Sequence, residues 1–222
     1  MKKYLKLFLK YLLVFACWAL AACEKEHLQP DVTGTQAQPI AFISALIGTD
    51  SVHYAAGVDS YIGLTWMADT GSSRYFCFYL YNELSSPLQP VKCFKIYINN
   101  AALNPGNPDA DLESTIVADS LNYQSYANGF MPSAVTVEWY DSTGAYFSSA
   151  AAPQFGNNFV ITSIEDVYFQ NEMYKKATVE FNCILMDNTF NLIPLTNGRA
   201  TLIFGLDPLN PWRPDASIID MG

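Results

Sequence analysis

The sequence predicts an all-β protein, and three features of its 222 residues support that fold class. The apolar residues fall in short runs rich in Val, Ile, Tyr, Phe and Thr. Gly, Pro, Asn and Asp separate these runs, and no amphipathic helical pattern lies between them. Strands at this spacing favour an antiparallel sandwich over a parallel α/β sheet.

Eleven segments have the composition of strands: 40–47, 52–56, 61–67, 75–81, 92–98, 115–118, 134–140, 145–149, 158–169, 177–186 and 199–205. The alternation is plainest in the seventh, where Val135, Val137 and Trp139 share one face and Thr136 and Glu138 the other. A period of two predicts that the first set faces the core.

A repeated pattern suggests two related halves. TWMADTGSSRYF (65–76) and EWYDSTGAYFSS (138–149) each carry a Trp, four intervening residues and a Gly. A single immunoglobulin-like sandwich has ~100 residues, so the chain is long enough to form two. We therefore expect two immunoglobulin-like antiparallel sandwiches, over 39–130 and 131–207, with an extended tail over 208–222. Chance similarity between two strand–turn–strand units is the alternative.

The N-terminus predicts export and lipidation. Four lysines in the first ten residues precede an uncharged run from Tyr11 to Ala22, which is too short to cross a ~30 Å hydrocarbon core. The run ends in Leu20-Ala21-Ala22-Cys23, which resembles the lipobox of bacterial lipoproteins. That resemblance implies a signal peptide over 1–22, acylation of Cys23 and a stable lipid anchor in the membrane. An ordinary secretory signal is the alternative.

Residues 23–38 are expected to form a flexible tether after the lipidated Cys, because 24–38 contain one Leu, one Val and no aromatic residue. Residue 24 is Glu, whereas Asp at this position tends to retain similar lipoproteins at the inner membrane. The resemblance therefore favours the outer membrane. Glu24-Lys25-Glu26 also resembles the export signal of surface lipoproteins in Bacteroidota, and a merely solvated tether is the alternative.

Charge argues against nucleic acid as a partner. Removing residues 1–22 leaves 200 residues with 21 acidic and 8 basic side chains (12 less the four lysines of the leader), a formal charge of −13. Such a surface repels phosphate backbones and anionic lipid head groups.

Three cysteines remain beyond Cys23, so at most one bridge can form within the mature chain. Cys77 and Cys93 each lie eight residues from Ser85, at the centre of a predicted hairpin. Facing residues of such a hairpin are close enough for a disulfide, and we expect one between these two. A bridge to Cys183 and three reduced thiols are the alternatives.

One acidic segment could bind a metal. Asp109, Asp111 and Glu113 alternate in a loop rich in Asn and Pro, and Ca²⁺ prefers several oxygen ligands of this kind. A solvated acidic loop is the alternative. The mature chain has two histidines, His27 and His53, and no G-x-S-x-G, P-loop or C-x-x-C motif, so we expect no enzyme.

Two longer stretches carry a further resemblance. Residues 55–66 (AAGVDSYIGLTW) and 159–204 resemble segments of Bacteroidota lipoproteins that carry immunoglobulin-like or PKD-like modules, and the W-x4-G turn is similar to the W-D-x-G-D-G turn of PKD-type domains. The resemblance implies location and architecture and brings no catalytic residues.

We therefore expect a non-enzymatic outer-membrane lipoprotein that acts as a binding or envelope scaffold module, with an envelope protein or a glycan as partner. The alternative is a carbohydrate-binding lipoprotein of a glycan-uptake system. Twelve Tyr and three Trp in the mature chain, Trp212 of the tail among them, motivate that alternative, because aromatic faces can stack on sugars.

Overall fold

A computed structural model of the chain describes residues 41–69, 73–85, 90–100, 106–125, 133–169 and 172–206. Residues 1–22, predicted to be a signal peptide, residues 23–38, predicted to be a tether with Cys23, and the predicted 208–222 tail with Trp212 lie outside these ranges. The all-β class is confirmed, since the described residues form eleven strands and one short helix. These are β1 Phe42–Ile47, β2 Asp50–Ala55, β3 Tyr61–Asp69, β4 Arg74–Asn82, β5 Cys93–Asn100, α1 Pro108–Thr115, β6 Ser120–Tyr123, β7 Ala134–Tyr140, β8 Tyr146–Ser148, β9 Phe159–Phe169, β10 Glu172–Asp187 and β11 Leu192–Phe204. No helix in these ranges is long and apolar enough to span a membrane.

The strands form a single sheet in the order β2-β1-β11-β10-β9-β6-β7-β5-β4-β3, with β8 pairing to both β10 and β7. All pairings are antiparallel except that of β6 with β7. Four ladders join strands from either side of residue 130: β1 with β11, β5 with β7, and β6 with both β7 and β9. Two separate sandwiches divided at that residue are therefore not confirmed, and the described strands belong to one compact unit.

The sheet folds over into two layers around a shared core. β2, β1, β11, β10 and β9 form the first layer, and β7, β5, β4 and β3 form the second. β11 contacts β3 and β4, with which it does not pair, so the layers lie face to face. The core between them is aromatic, and six phenylalanines are among its largest fully buried side chains: Phe76, Phe78, Phe94, Phe159, Phe181 and Phe204. The predicted face of β7 is confirmed, since Val135, Val137 and Trp139 are all buried.

The predicted Cys77–Cys93 bridge is wrong because the hairpin register differs. β4 and β5 pair with Cys77 opposite Tyr97, not opposite Cys93. Cys93 lies four residues from Tyr97 along β5, which is ~13 Å at ~3.3 Å per residue. The Asn82 side chain and carbonyl bind Leu84 N–H and the Ser85 hydroxyl, so Ser85 belongs to the turn that ends β4 and not to the hairpin centre. Cys77, Cys93 and Cys183 are all buried free thiols.

The predicted acidic loop forms a helix. In α1, Pro108 occupies the first turn and the Asn107 side chain accepts a hydrogen bond from Ala110 N–H, which caps the helix. The predicted strand over 115–118 is accordingly absent, and β6 begins at Ser120 instead.

Candidate functional site

The outer surface of the second layer carries a dense group of aromatic side chains, which we call the tyrosine face. Residues beside them on each strand, such as Phe78, Leu80 and Ile96, are buried in the core, and alternation turns the intervening side chains outward. The face consists of Trp66 of β3, Tyr79 and Tyr81 of β4, Tyr97 of β5, Tyr140 of β7 and Tyr146 of β8. All six are half-buried, so each ring has a covered and an accessible part.

The rings of the face support one another. Trp66 meets Tyr79 and Tyr97 edge-on, with ring centroids 6.4 Å apart in both pairs. Tyr79 stacks on Tyr81 at 4.7 Å. These separations are typical of favourable aromatic pairs, and packing of this kind restricts the rotation of each ring before any ligand arrives.

A lysine and a glutamate stand at the centre of the face. Lys95 and Glu138 are directly opposite in the β5–β7 register. The Lys95 ammonium lies over two rings, 4.9 Å from the centroid of Tyr79 and 5.5 Å from that of Tyr140, in cation–π geometry. The Glu138 carboxylate accepts hydrogen bonds from the Tyr146 hydroxyl at 2.7 Å and the Tyr97 hydroxyl at 3.3 Å. Both charges are thus held among rings within the sheet surface.

Two thiols lie beneath the rings. Cys77 and Cys93 alternate with core residues, so they belong to the tyrosine face, yet each is at most 1% exposed. Burial raises the pKa of Cys93 to about 11 and raises the pKa of Cys77 further. Burial, with the negative charge of Glu138, also raises the pKa of the Tyr97 hydroxyl. At neutral pH these two thiols and the Tyr97 hydroxyl are therefore protonated.

The three acidic residues predicted as calcium ligands are not brought together. Asp111 is buried and forms an ion pair with Arg74 of β4, whereas Asp109 and Glu113 are exposed. On a helix, residues two apart point to opposite sides, which separates Asp111 from the other two. Within the described ranges, no group of three or more His, Cys, Asp or Glu side chains is arranged to hold a metal ion.

His53 lies on the edge strand β2 and is exposed, with its ring 5.9 Å from that of Phe42. The prediction from sequence singled out Trp212 and missed the tyrosine face. The signal was the every-second spacing of Tyr75, Cys77, Tyr79 and Tyr81, whose intervening residues are all apolar.

No family model, no curated protein and no solved structure matches this chain.

Proposed function

We propose that the protein is a non-enzymatic outer-membrane lipoprotein that acts as a binding or envelope scaffold module through its tyrosine face. The observation that carries this proposal is the set of six rings on five adjacent strands. Ring contacts join them into two groups, which Lys95 and Glu138 bridge. Tyr and Trp are enriched at the centres of protein interfaces, since a rigid ring contributes a large contact area at low cost in side-chain entropy.

The leader supports the location. The uncharged run to Ala22, the Leu20–Cys23 lipobox and Glu24 favour acylation of Cys23 and retention at the outer membrane. A lipid anchor restricts the domain to a thin layer next to the membrane, which raises its effective concentration toward a partner in the same layer.

The anchor is tested by growing cells with an alkyne fatty acid. The protein should become labelled, and Cys23→Ala should remove the label. Persistent labelling of that variant would exclude acylation at this residue.

The contact surface is tested with the mature chain carrying Cys23→Ala, added to envelopes from cells that lack the protein. We expect saturable co-sedimentation that falls severalfold in Trp66→Ala and in Tyr140→Ala. The matched control is Tyr168→Ala, which removes a 67% exposed tyrosine of β9 outside the face. Equal co-sedimentation of all variants, or none by the unsubstituted domain, would contradict the assignment of the face.

Carbohydrate binding is the second candidate, and the placement of Lys95 and Glu138 among the rings favours it. A sugar offers apolar C–H faces for rings and hydroxyls for a carboxylate and an ammonium. Saturable signals on a glycan array, lost in Trp66→Ala and kept in Tyr168→Ala, would favour this candidate over a protein scaffold.

A further inference from the structure

The two layers separate at one end of the domain, where a cleft of about 730 Å³ opens between them. We call it the interlayer cleft. Its walls are the β1–β2 turn with β2, the start of β11, Lys92 just before β5, and the β7–β8 turn. Small-molecule sites are typically clefts of about 300–1,000 Å³ with an apolar lining and a few polar groups, so the size suits a small ligand.

The floor of the cleft is aromatic. Trp139 of β7 and Phe147 of β8 line it, with ring centroids 5.3 Å apart. Tyr54 of β2 lines it as well and stacks on Tyr61 at 4.7 Å with an interplanar angle of 12°. The Tyr61 hydroxyl donates to the Lys92 carbonyl at 3.0 Å, so the floor is tied to the rim.

The mouth of the cleft carries a carboxylate whose geometry is fixed. Asp141 Oδ1 accepts three hydrogen bonds from its own turn, from Thr143 N–H, the Thr143 hydroxyl and Ala145 N–H, at 2.7–2.9 Å. Partial burial acts to raise the pKa of Asp141, but these hydrogen bonds lower it overall, so the group is ionised at neutral pH. The Gly144 N–H of the same turn also lowers the pKa of Asp141. An ionised carboxylate has about four acceptor sites on its two oxygens, so it can still accept a hydrogen bond from a ligand hydroxyl.

The Lys92 backbone lies beside that of Asp141, and the Lys92 side chain provides a donor at the cleft. The Lys92 backbone N–H donates to the Asp141 carbonyl at 2.9 Å, which holds the two segments together at the rim. Lys92 has a φ of +49°, and its side chain is exposed and lines the cleft. Ser142 lies beside them and adds a hydroxyl, which both donates and accepts.

These groups select against anionic ligands, because an anion would meet Asp141, Asp50 and a chain whose residues 23–222 have a formal charge of −13. The Lys92 ammonium offsets one of the two carboxylates and adds a hydrogen-bond donor. A long acyl chain would leave the charges and hydroxyls of the mouth without partners. A neutral ring with many hydroxyl groups satisfies both the aromatic floor and the polar mouth.

We propose that the interlayer cleft binds a neutral sugar unit, with the apolar face of the sugar ring toward Trp139 and Tyr54 and its hydroxyls toward the Asp141 carboxylate and the Lys92 ammonium. The site is separate from the tyrosine face, because Trp139 faces the core side of β7 while the adjacent Tyr140 faces outward. The proposal for the cleft therefore does not depend on what the tyrosine face binds.

The fluorescence of Trp139 can report on binding in the cleft. In the mature chain with Cys23→Ala, the substitutions Trp66→Phe and Trp212→Phe leave Trp139 as the sole tryptophan. This protein is titrated with a panel of neutral mono- and oligosaccharides while its emission is recorded. We expect a saturable change in Trp139 emission for at least one sugar of the panel.

Two variants assign that signal to the cleft. Ser142→Phe places a ring in the mouth, and Lys92→Ala removes a donor without filling space, and each should weaken binding by about tenfold or more. Ser163→Phe, at an exposed position of β9 outside the cleft, is the matched control and should bind as the parent does. The proposal is overturned if no sugar changes the emission, if both cleft variants bind like the parent, or if only fatty acids or peptides saturate the signal. Loss of envelope binding in Trp66→Ala reports on the tyrosine face alone.

Discussion

The Gly205 amide, just after β11, donates a hydrogen bond of 3.0 Å to the hydroxyl of Thr65 in β3. The same hydroxyl donates to the Cys77 carbonyl of β4 at 3.1 Å. One buried side chain, 1% exposed, therefore joins the end of the first layer to two strands of the second. The Met67 N–H continues this contact by donating to the Leu206 carbonyl at 3.3 Å.

Thr65→Val tests that junction. Val keeps the shape of Thr but removes the hydroxyl, so the Gly205 N–H loses its acceptor in the interior. We expect the free energy of unfolding to fall by about 1–3 kcal/mol, the usual cost of an unsatisfied buried donor. Urea denaturation measures it. Thr65→Ser keeps the hydroxyl and should lose only about 1 kcal/mol for the missing methyl group. A Thr65→Val protein as stable as the unsubstituted one would mean that the hydrogen bond contributes nothing.

The ion pair between Arg74 and Asp111 gives a second prediction. Their side chains are 7% and 3% exposed, so Asp111→Asn leaves the guanidinium charge buried without its main counter-ion. Breaking a buried pair from one side costs about 3–5 kcal/mol, and the melting temperature should fall accordingly. Asp69 also pairs with Arg74, at 3.1 Å, but its side chain is 41% exposed. Asp69→Asn is therefore the matched control and should cost about 1 kcal/mol or less. A milder effect of Asp111→Asn than of Asp69→Asn would contradict the ranking.

Local sequence patterns predicted the positions of the strands well, but they did not predict which strands pair with one another. β7 has the predicted bounds, because alternation and the flanking Ser133 and Asp141 delimit it within the sequence itself. The pairing of β1 with β11 depends on burial of side chains some 150 residues apart, which no local period encodes. The Cys77–Cys93 register failed because the loop after β4 begins with its own Asn82 turn.

The helix and the two candidate sites likewise divide into features that the local sequence predicts and features that depend on strand pairing. Asn107 and Pro108 are an N-cap and first-turn pair that could have predicted α1. The alternating acidic residues that follow them favoured a metal-binding loop instead. The spacing of residues in β4 alone could have predicted part of the tyrosine face, whereas its assembly with β3, β5, β7 and β8 depends on the strand register. The interlayer cleft brings together four segments distant in the chain and had no signal in the sequence.

The three thiols yield a third prediction. Cys77, Cys93 and Cys183 are each 0–1% exposed, and burial raises all three pKa values. For Cys93 the rise from 9.0 to about 11 lowers the thiolate fraction at neutral pH by about a hundredfold. In residues 23–222 carrying Cys23→Ala, a thiol reagent should therefore label no cysteine of the native protein and three in denaturant. Non-reducing peptide mapping should find no linked pair, and any bridge or rapid native labelling would contradict the structure.

The carboxylate of Asp187, the last residue of β10 before the β10–β11 turn, supports a prediction about stability in acid. It accepts hydrogen bonds of 2.8–3.0 Å from the backbone N–H and side chains of Thr189 and Asn191. Desolvation acts to raise its pKa, but these bonds outweigh it and lower the pKa from 3.8 to about 2. A carboxylate with a folded pKa below its unfolded pKa stabilises the protein above the unfolded value and loses that contribution as pH falls through the folded value. Asp187→Asn should therefore lower the melting temperature at pH 7, and the difference from the unsubstituted protein should shrink between about pH 4 and pH 2.

The titration of Asp187 itself separates this explanation from a general acid effect. Carboxyl ¹³C NMR should place its pKa near 2. Thr189→Val removes the hydroxyl donor and should move the pKa toward 3.8, whereas Thr189→Ser keeps the donor and should leave it low. If Asp187 titrates near 3.8 in the unsubstituted protein, or if Val and Ser behave alike, the hydrogen bonds of this turn do not set its acidity.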